Sequence, residues 1–171
     1  MTDPLLAACG LDPAAVVRLV AGLRTAGHTV ATAESLTAGL ISSVLTAVPG
    51  SSAVVRGGLV VYATELKHTL AGVDAALLDE VGAVHPEVAR QLAAGARDRC
   101  GATLGLGITG VAGPDPQDGV AVGTVFVCVA DATRRWERAE RFDGGRSTVR
   151  AASVRCALDL LSEALSTPHG G

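Results

Sequence analysis

Residues 105–116 read GLGITGVAGPDP, in which Gly105, Gly107 and Gly110 match the G-x-G-x-x-G spelling of a dinucleotide-binding loop. That spelling holds a pyrophosphate only where a strand precedes it and a helix opens on it, so that free backbone N–H groups face the anion. The strand is present, because ATLGLGIT reads as a buried apolar run. The helix is not. Pro114 and Pro116 follow within a few residues, and proline denies a helix both its N–H groups and its packing. A dinucleotide fold is therefore excluded. The glycines mark backbone that a ligand or another loop approaches closely.

The surrounding chain alternates helical and strand periods. Asp12-Pro13 predicts a capped helix start, and Val16, Leu19, Val20 and Leu23 then repeat at helical spacing as far as Gly27. HTVATAES predicts a strand, followed directly by a helix from Leu36 whose apolar face ends at Pro49-Gly50. GGLVVYATELK, residues 57–67, predicts a second strand that turns polar at its end. Asp74 to Gly82 predicts a short helix and loop, and Pro86 opens a further helix ending near Cys100-Gly101. Val120 to Ala130 and Trp136 to Phe142 predict two more strands, the second a polar edge. A last helix starts near Ser147, with Val154, Leu158, Leu161 and Leu165 on one face. This alternation predicts an α/β fold, a three-layer α/β/α sandwich with a mostly parallel or mixed central sheet. One domain is expected over residues 1–171, with its core at about 12–165 and a flexible tail at 166–171.

Composition narrows the class. The 171 residues are 49% hydrophobic and 18% charged, with aromatics at 2%, so the core is aliphatic. With a net charge of −3 there is no basic excess to grip a phosphate backbone, and no nucleic-acid partner is expected. No run approaches the 18 apolar residues that a membrane span requires. The start, MTDPLLAACGLDP, lacks the positive charge of a signal peptide, and a cytoplasmic location is expected. Cys9, Cys100, Cys128 and Cys156 are scattered and read as reduced thiols, and neither they nor the four histidines show metal-ligand spacing.

Four stretches could carry chemistry. In ESLTAG (34–39), Ser35 and Thr37 stand at a strand-to-helix junction, where free N–H groups can stabilise an oxyanion or hold a phosphate. Plain N-capping accounts for the same residue types. Tyr62 and Lys67 lie at the polar end of the second strand, where a lysine beside apolar residues can act as a base for a serine hydroxyl. A snorkelling lysine next to an interfacial tyrosine is the alternative. Thr109 offers a hydroxyl at a strand end, with Gly110 and Gly113 clearing space or simply forming a turn. Arg146 and Arg150, four apart at a helix start, could share one face and grip a phosphate, or pair with Asp143 or Glu140 at the surface.

Taken in order and spacing, ESLTAGL, GSSAVVRGGLVVYATELKHTLAGV, GAVHPEVA, ITGVAGP, VGTVFV and FDGGRSTVRAASVRCALDLL resemble the C-terminal domain of the CinA (competence/damage-inducible) proteins. Members of that family occur as stand-alone nicotinamide-nucleotide amidases. The resemblance runs from about Val30 to Leu161. It departs at Ala38, where a glycine often sits, at His85, where the family has serine, and at Val120-Ala121 in place of lysine-proline.

The resemblance implies hydrolysis of the carboxamide of nicotinamide mononucleotide (NMN) to nicotinic acid mononucleotide and ammonia, and with no metal-ligand spacing in the sequence no metal or other cofactor is expected. It implies a homo-oligomer, most often a dimer, and catalytic roles at Ser35, Tyr62, Lys67 and Thr109. Ser35 would attack, neutral Lys67 would take its proton, Tyr62 would orient or relay it, and backbone N–H groups with Thr109 would hold the oxyanion. Thr37, Gly57, Gly58, Gly110, Gly113, Arg146, Arg150 and the helix starting near Leu36 are the expected substrate contacts. The alternative is a nucleotide-binding or partner-docking module that keeps the pocket without turnover.

Overall fold

The computed structural model describes residues 3–167. Its sheet has five strands, β1 (Val30–Glu34), β2 (Val55–Val60), β3 (Leu104–Gly110), β4 (Thr124–Ala130) and β5 (Arg135–Arg141). They lie in the order β2-β1-β3-β4-β5. β1 runs parallel to both β2 and β3, whereas β4 and β5 are antiparallel additions, so the sheet is mixed. The antiparallel return follows from GLGITGVAGPDP. With no helix after β3, the chain turns back and pairs β4 against it, Gly110 opposite Val125.

Helices cover both faces. On one lie α2 (Pro13–Thr25), α3 (Leu40–Thr46) and α7 (Arg146–Ser166), and on the other α6 (Pro86–Cys100), with α4 (Thr64–Thr69) and α5 (Ala75–Val81) near β2. A short helix α1 (Pro4–Ala8), capped by Asp3, was not signalled by periodicity. The strand period of two sorts the residues between layers. Val30, Leu104, Leu106 and Ile108 join Leu23, Ile41, Leu45 and Leu161 in the larger core, while Ala31 and Ala33 join Val88, Leu92 and Ala96 under α6.

The α6 face is built from small residues. A Cβ on Gly105 or Gly107 would collide with the backbone of Ala93 and Ala89 on α6. The glycines of the false dinucleotide motif therefore let a helix, and not a ligand or a loop, lie close on β3. Gly105→Ala should lower stability by about 2–3 kcal/mol, because α6 must move away from the sheet to admit one methyl. A fall in the urea midpoint at unchanged slope would show it, and an unshifted midpoint would contradict the close-approach reading.

Several boundaries differ from expectation. The helix expected from Leu36 starts at Leu40, after a turn at residues 35–39 in which Ala38 and Gly39 take positive φ (49° and 91°). β4 begins at Thr124 and not at Val120, since Gly123 at φ 87° breaks the run. Lys67 lies on helix α4 rather than at the end of a strand. The expected tail falls mostly outside the described residues, α7 itself continuing to Ser166. Cys9, Cys128 and Cys156 are buried free thiols, and Cys100 is partly exposed. Among the described residues no helix is long and apolar enough to cross a membrane, and no group of His, Cys, Asp or Glu is placed to hold a metal.

Candidate active site

Buried polar side chains concentrate at one end of the sheet. Eight are buried among the described residues, and six of them, Thr32, Glu34, Ser35, Thr37, Lys67 and Thr109, sit at or near the C-terminal ends of β1, β2 and β3. That end is where ligands settle in open α/β sheets, because the chain splays as it leaves the strands. A cleft of about 300 Å³ opens there, lined by Ser35, Leu36, Tyr62, Ala63, Thr64, residues 110–113, Asp115, Gln117 and Arg146.

The turn after β1 carries Ser35. Its backbone is held almost completely: Ser35 N–H donates to the Ile108 carbonyl (3.2 Å), Ala38 N–H to Ser35 (3.1 Å) and Leu40 N–H to Thr37 (3.1 Å). Gly39 N–H donates to Glu34 Oε2 (2.9 Å). Two amides remain, those of Leu36 and Thr37, with no protein partner among the described residues. They follow Ser35 directly, as amide donors to an oxyanion would. Neither Ser35 nor Thr37 caps α3. Thr37 is fully buried, and among the described residues its hydroxyl has no partner. The start of α3 is capped by Glu34, which a reading of ESLTAG as a cap followed at once by a helix passes over.

Lys67 is the largest fully buried side chain, 1% exposed. Its Nζ donates to the carbonyls of Val61 (2.9 Å) and Tyr62 (3.2 Å). These residues adjoin Ser35, since Val61 N–H bonds the Glu34 carbonyl (2.9 Å). Burial lowers the Lys67 pKa from 10.5 to about 8, against a smaller opposing pull from the Glu65 charge. The two carbonyls match the two N–H bonds of a neutral amine and leave its lone pair available, whereas an ammonium carries a third N–H. Among the described residues no hydrogen bond joins Nζ to Ser35.

The other expected site residues divide. Tyr62, Gly110, Gly113 and Arg146 line the cleft with Ser35. Tyr62 is 55% exposed, and its hydroxyl accepts from Arg146 Nη2 (2.8 Å), so it reaches Lys67 only through its backbone carbonyl. Arg146 also donates through Nη1 to the Gly113 carbonyl (2.9 Å). Thr109 is buried and gives its proton to the Ala83 carbonyl (2.6 Å), because its place in the alternation of β3 points it at the α6 layer. Arg150 spends its guanidinium on the turn, bonding the carbonyls of Leu36 (2.9 Å) and Thr37 (3.2 Å). Gly57 and Gly58 lie on edge strand β2 outside the cleft, and a Cβ on Gly58 would strike the Ser42 and Thr32 hydroxyls. At the start of α3 the amides of Gly39, Leu40, Ile41 and Ser42 are already bonded within the chain. Asp115, Gln117 and Thr64 were missed as wall residues, since nothing in their spacing sets them apart from loop polarity. His85 does cap α6, with Nδ1 accepting from Glu87 N–H (3.2 Å).

Known proteins share this arrangement of chain. The family model described as CinA C-terminal domain matches residues 14–165. A CinA-like protein of Frankia casuarinae is 48% identical over 138 residues, 81% of this chain and 32% of that protein. A CinA-like protein of Geobacter sulfurreducens is 47% identical over 154 residues, 90% of this chain and 37% of that one. The chain thus spans about a third of the length of these curated relatives. Among solved structures, the competence/damage inducible protein CihA from Agrobacterium tumefaciens superposes with a TM-score of 0.85 at 36% identity, covering 91% of this chain and 95% of that one. A CinA superfamily protein from Klebsiella pneumoniae gives 0.86 at 29% identity, covering 90% and 97%.

Proposed function

We propose, since the chain belongs to the CinA C-terminal domain family, that it hydrolyses the carboxamide of NMN to nicotinic acid mononucleotide and ammonia. The observation that carries the proposal is Ser35 at the cleft wall with, bonded to the adjoining Val61 and Tyr62 carbonyls, a buried lysine amine whose pKa is lowered to about 8. Ser35 Oγ attacks the carboxamide carbon while the neutral Lys67 amine takes its proton. The oxyanion is held by the Leu36 and Thr37 amides; with its proton on Ala83, Thr109 serves to fix the strand end. The Lys67 ammonium gives the proton to the NH₂ group of the tetrahedral intermediate, which leaves as ammonia as the C–N bond breaks, and water then hydrolyses the acyl-serine. The electron-poor pyridinium makes this carboxamide a better electrophile than an ordinary amide.

Arg146 is the group we assign to the 5′-phosphate. It is the basic residue in the cleft wall, and its bonds to Gly113 and Tyr62 leave three of its five N–H donors for an anion. Charge-assisted hydrogen bonds of this kind contribute roughly 1.5–3 kcal/mol each. NMN should therefore exceed free nicotinamide in kcat/KM by about 10²-fold or more, since remote binding energy also orients the reacting carbon. Arg146→Ala should raise KM for NMN about 10- to 100-fold while leaving nicotinamide riboside almost unaffected. Steady-state kinetics on NMN, nicotinamide riboside and nicotinamide in one buffer test this, and equal kcat/KM for the three would overturn the nucleotide reading. The missing hydrogen bond between Lys67 and Ser35 favours a second reading, a nucleotide-binding module without turnover. NMN binding without ammonia release would select it.

A further inference from the structure

Among the described residues, the largest buried polar assembly belongs to a residue that touches no reacting atom in that chemistry. Glu34 is fully buried, and among the described residues no Lys, Arg or His is bonded to it. Five donors converge on it instead. Oε2 accepts the N–H groups of Gly39 (2.9 Å) and Ile41 (3.1 Å). Oε1 accepts the Ser42 N–H (2.9 Å), the Ser42 hydroxyl (3.0 Å) and the Thr32 hydroxyl (3.0 Å). The two hydroxyls also touch each other at 2.6 Å, in a space kept open by the missing side chain of Gly58. A carboxylate is well suited here, since backbone amides at a helix start present only donors and the helix dipole favours negative charge. Its position is telling: Glu34 precedes Ser35, and the amides it takes lie just beyond the turn.

We propose that Glu34 is the positioning residue of the Ser35 turn, an inference that rests on Ser35 being the nucleophile. Glu34 draws the amides of Gly39, Ile41 and Ser42 to one side while Arg150 draws the carbonyls of Leu36 and Thr37 to the other. Held from both ends, the turn keeps the Leu36 and Thr37 amides out of intrachain bonds and directed at the reacting oxygen. The two amides gain this role because Glu34 has already satisfied those that follow.

Glu34→Gln tests the assignment at nearly constant shape. Whichever way the amide is placed, its NH₂ meets at least one backbone N–H, so one end of the turn is released. A displacement of about 1 Å in a reacting group costs on the order of 10²-fold in rate. The expected result is kcat for NMN lowered about 10²-fold, KM within about twofold, and an unmoved pH profile, because Lys67 is not touched. Thr32→Ala removes a hydroxyl donor without adding bulk or breaking a backbone bond and should keep kcat within about threefold. Gly58→Ala, outside the cleft on the edge strand, crowds the two hydroxyls and should lower kcat as Glu34→Gln does, which keeps the test usable should the Gln variant fail to fold. The rate at which a fluorophosphonate probe labels Ser35 should follow kcat. A wild type that is not labelled at Ser35 removes the nucleophile reading itself. A labelled, active wild type matched in kcat and labelling rate by Glu34→Gln overturns the Glu34 assignment alone. A shifted pH profile, or a loss expressed in KM, also overturns it.

Discussion

Ser35→Ala should abolish ammonia release from NMN, with kcat falling on the order of 10⁴-fold or more, the scale seen when a serine nucleophile is removed. Stability should hardly change. The Ser35 side chain has no hydrogen bond among the described residues, and the bond from its N–H to the Ile108 carbonyl is kept by alanine. Losing a hydroxyl that is unbonded within the chain leaves no buried partner unsatisfied, so the cost stays below about 1 kcal/mol. Parallel measurement of turnover and of the urea midpoint separates a chemical loss from a folding loss. Retention of more than about a tenth of wild-type turnover by a stably folded variant would place the nucleophile elsewhere.

Lys67 carries the second large effect. Only its neutral form accepts a proton, so kcat/KM for NMN should rise with pH through a single ionisation near 8 and level off above it. At pH 7 about a tenth of the molecules then hold a neutral amine, against well under a thousandth for a lysine of ordinary pKa. Lys67→Met should lower kcat by about 10²- to 10⁴-fold, the range that general bases contribute. Lys67→Arg should fail equally, because guanidinium keeps its proton across this range.

Stability provides an independent check on the same amine. The folded chain releases this proton near pH 8 and the unfolded chain near 10.5, so between those values the unfolded state binds more protons. The stability of wild type relative to Lys67→Met should therefore climb with pH across that window, and the burial penalty should be fully present below pH 8. A flat difference in unfolding free energy from pH 7 to 10, together with a pH-independent rate, would remove Lys67 from the base role.

Parts of this site were legible from local sequence. Ser35 and Arg146 stand at element junctions, and Pro114 and Pro116 forbid the helix that a dinucleotide site requires. Asp12-Pro13 and Pro86 mark helix starts by chemistry that needs no tertiary partner, and Val16, Leu19, Val20 and Leu23 declare a buried face by period alone. The alternation of such segments limits the architecture to layers of helix on sheet, and the family motifs, matched in register, reach the same answer independently.

Contacts between distant segments were not legible, because each depends on which way a side chain faces once the layers close. ESLTAG reads as a cap followed by a helix; yet α3 starts at Leu40, because a buried carboxylate, two positive φ values and Arg150, more than 110 residues away, compete successfully with local capping. Thr109 reads as a catalytic hydroxyl, and the pleat of β3 turns its proton to the Ala83 carbonyl. Gly57 and Gly58 read as substrate contacts, and the fold sets them on edge strand β2, away from the residues that line the cleft. Lys67 keeps one composition in every reading, but only the packed structure removes water from around it, and that desolvation lowers its pKa. From sequence alone follow the element types, the aliphatic layers and the residue kinds gathered at the sheet's end. The tertiary structure decides which of those residues share a cleft and which amides stay unpaired, because burial and long-range hydrogen bonds exist only when segments far apart in the chain are brought together.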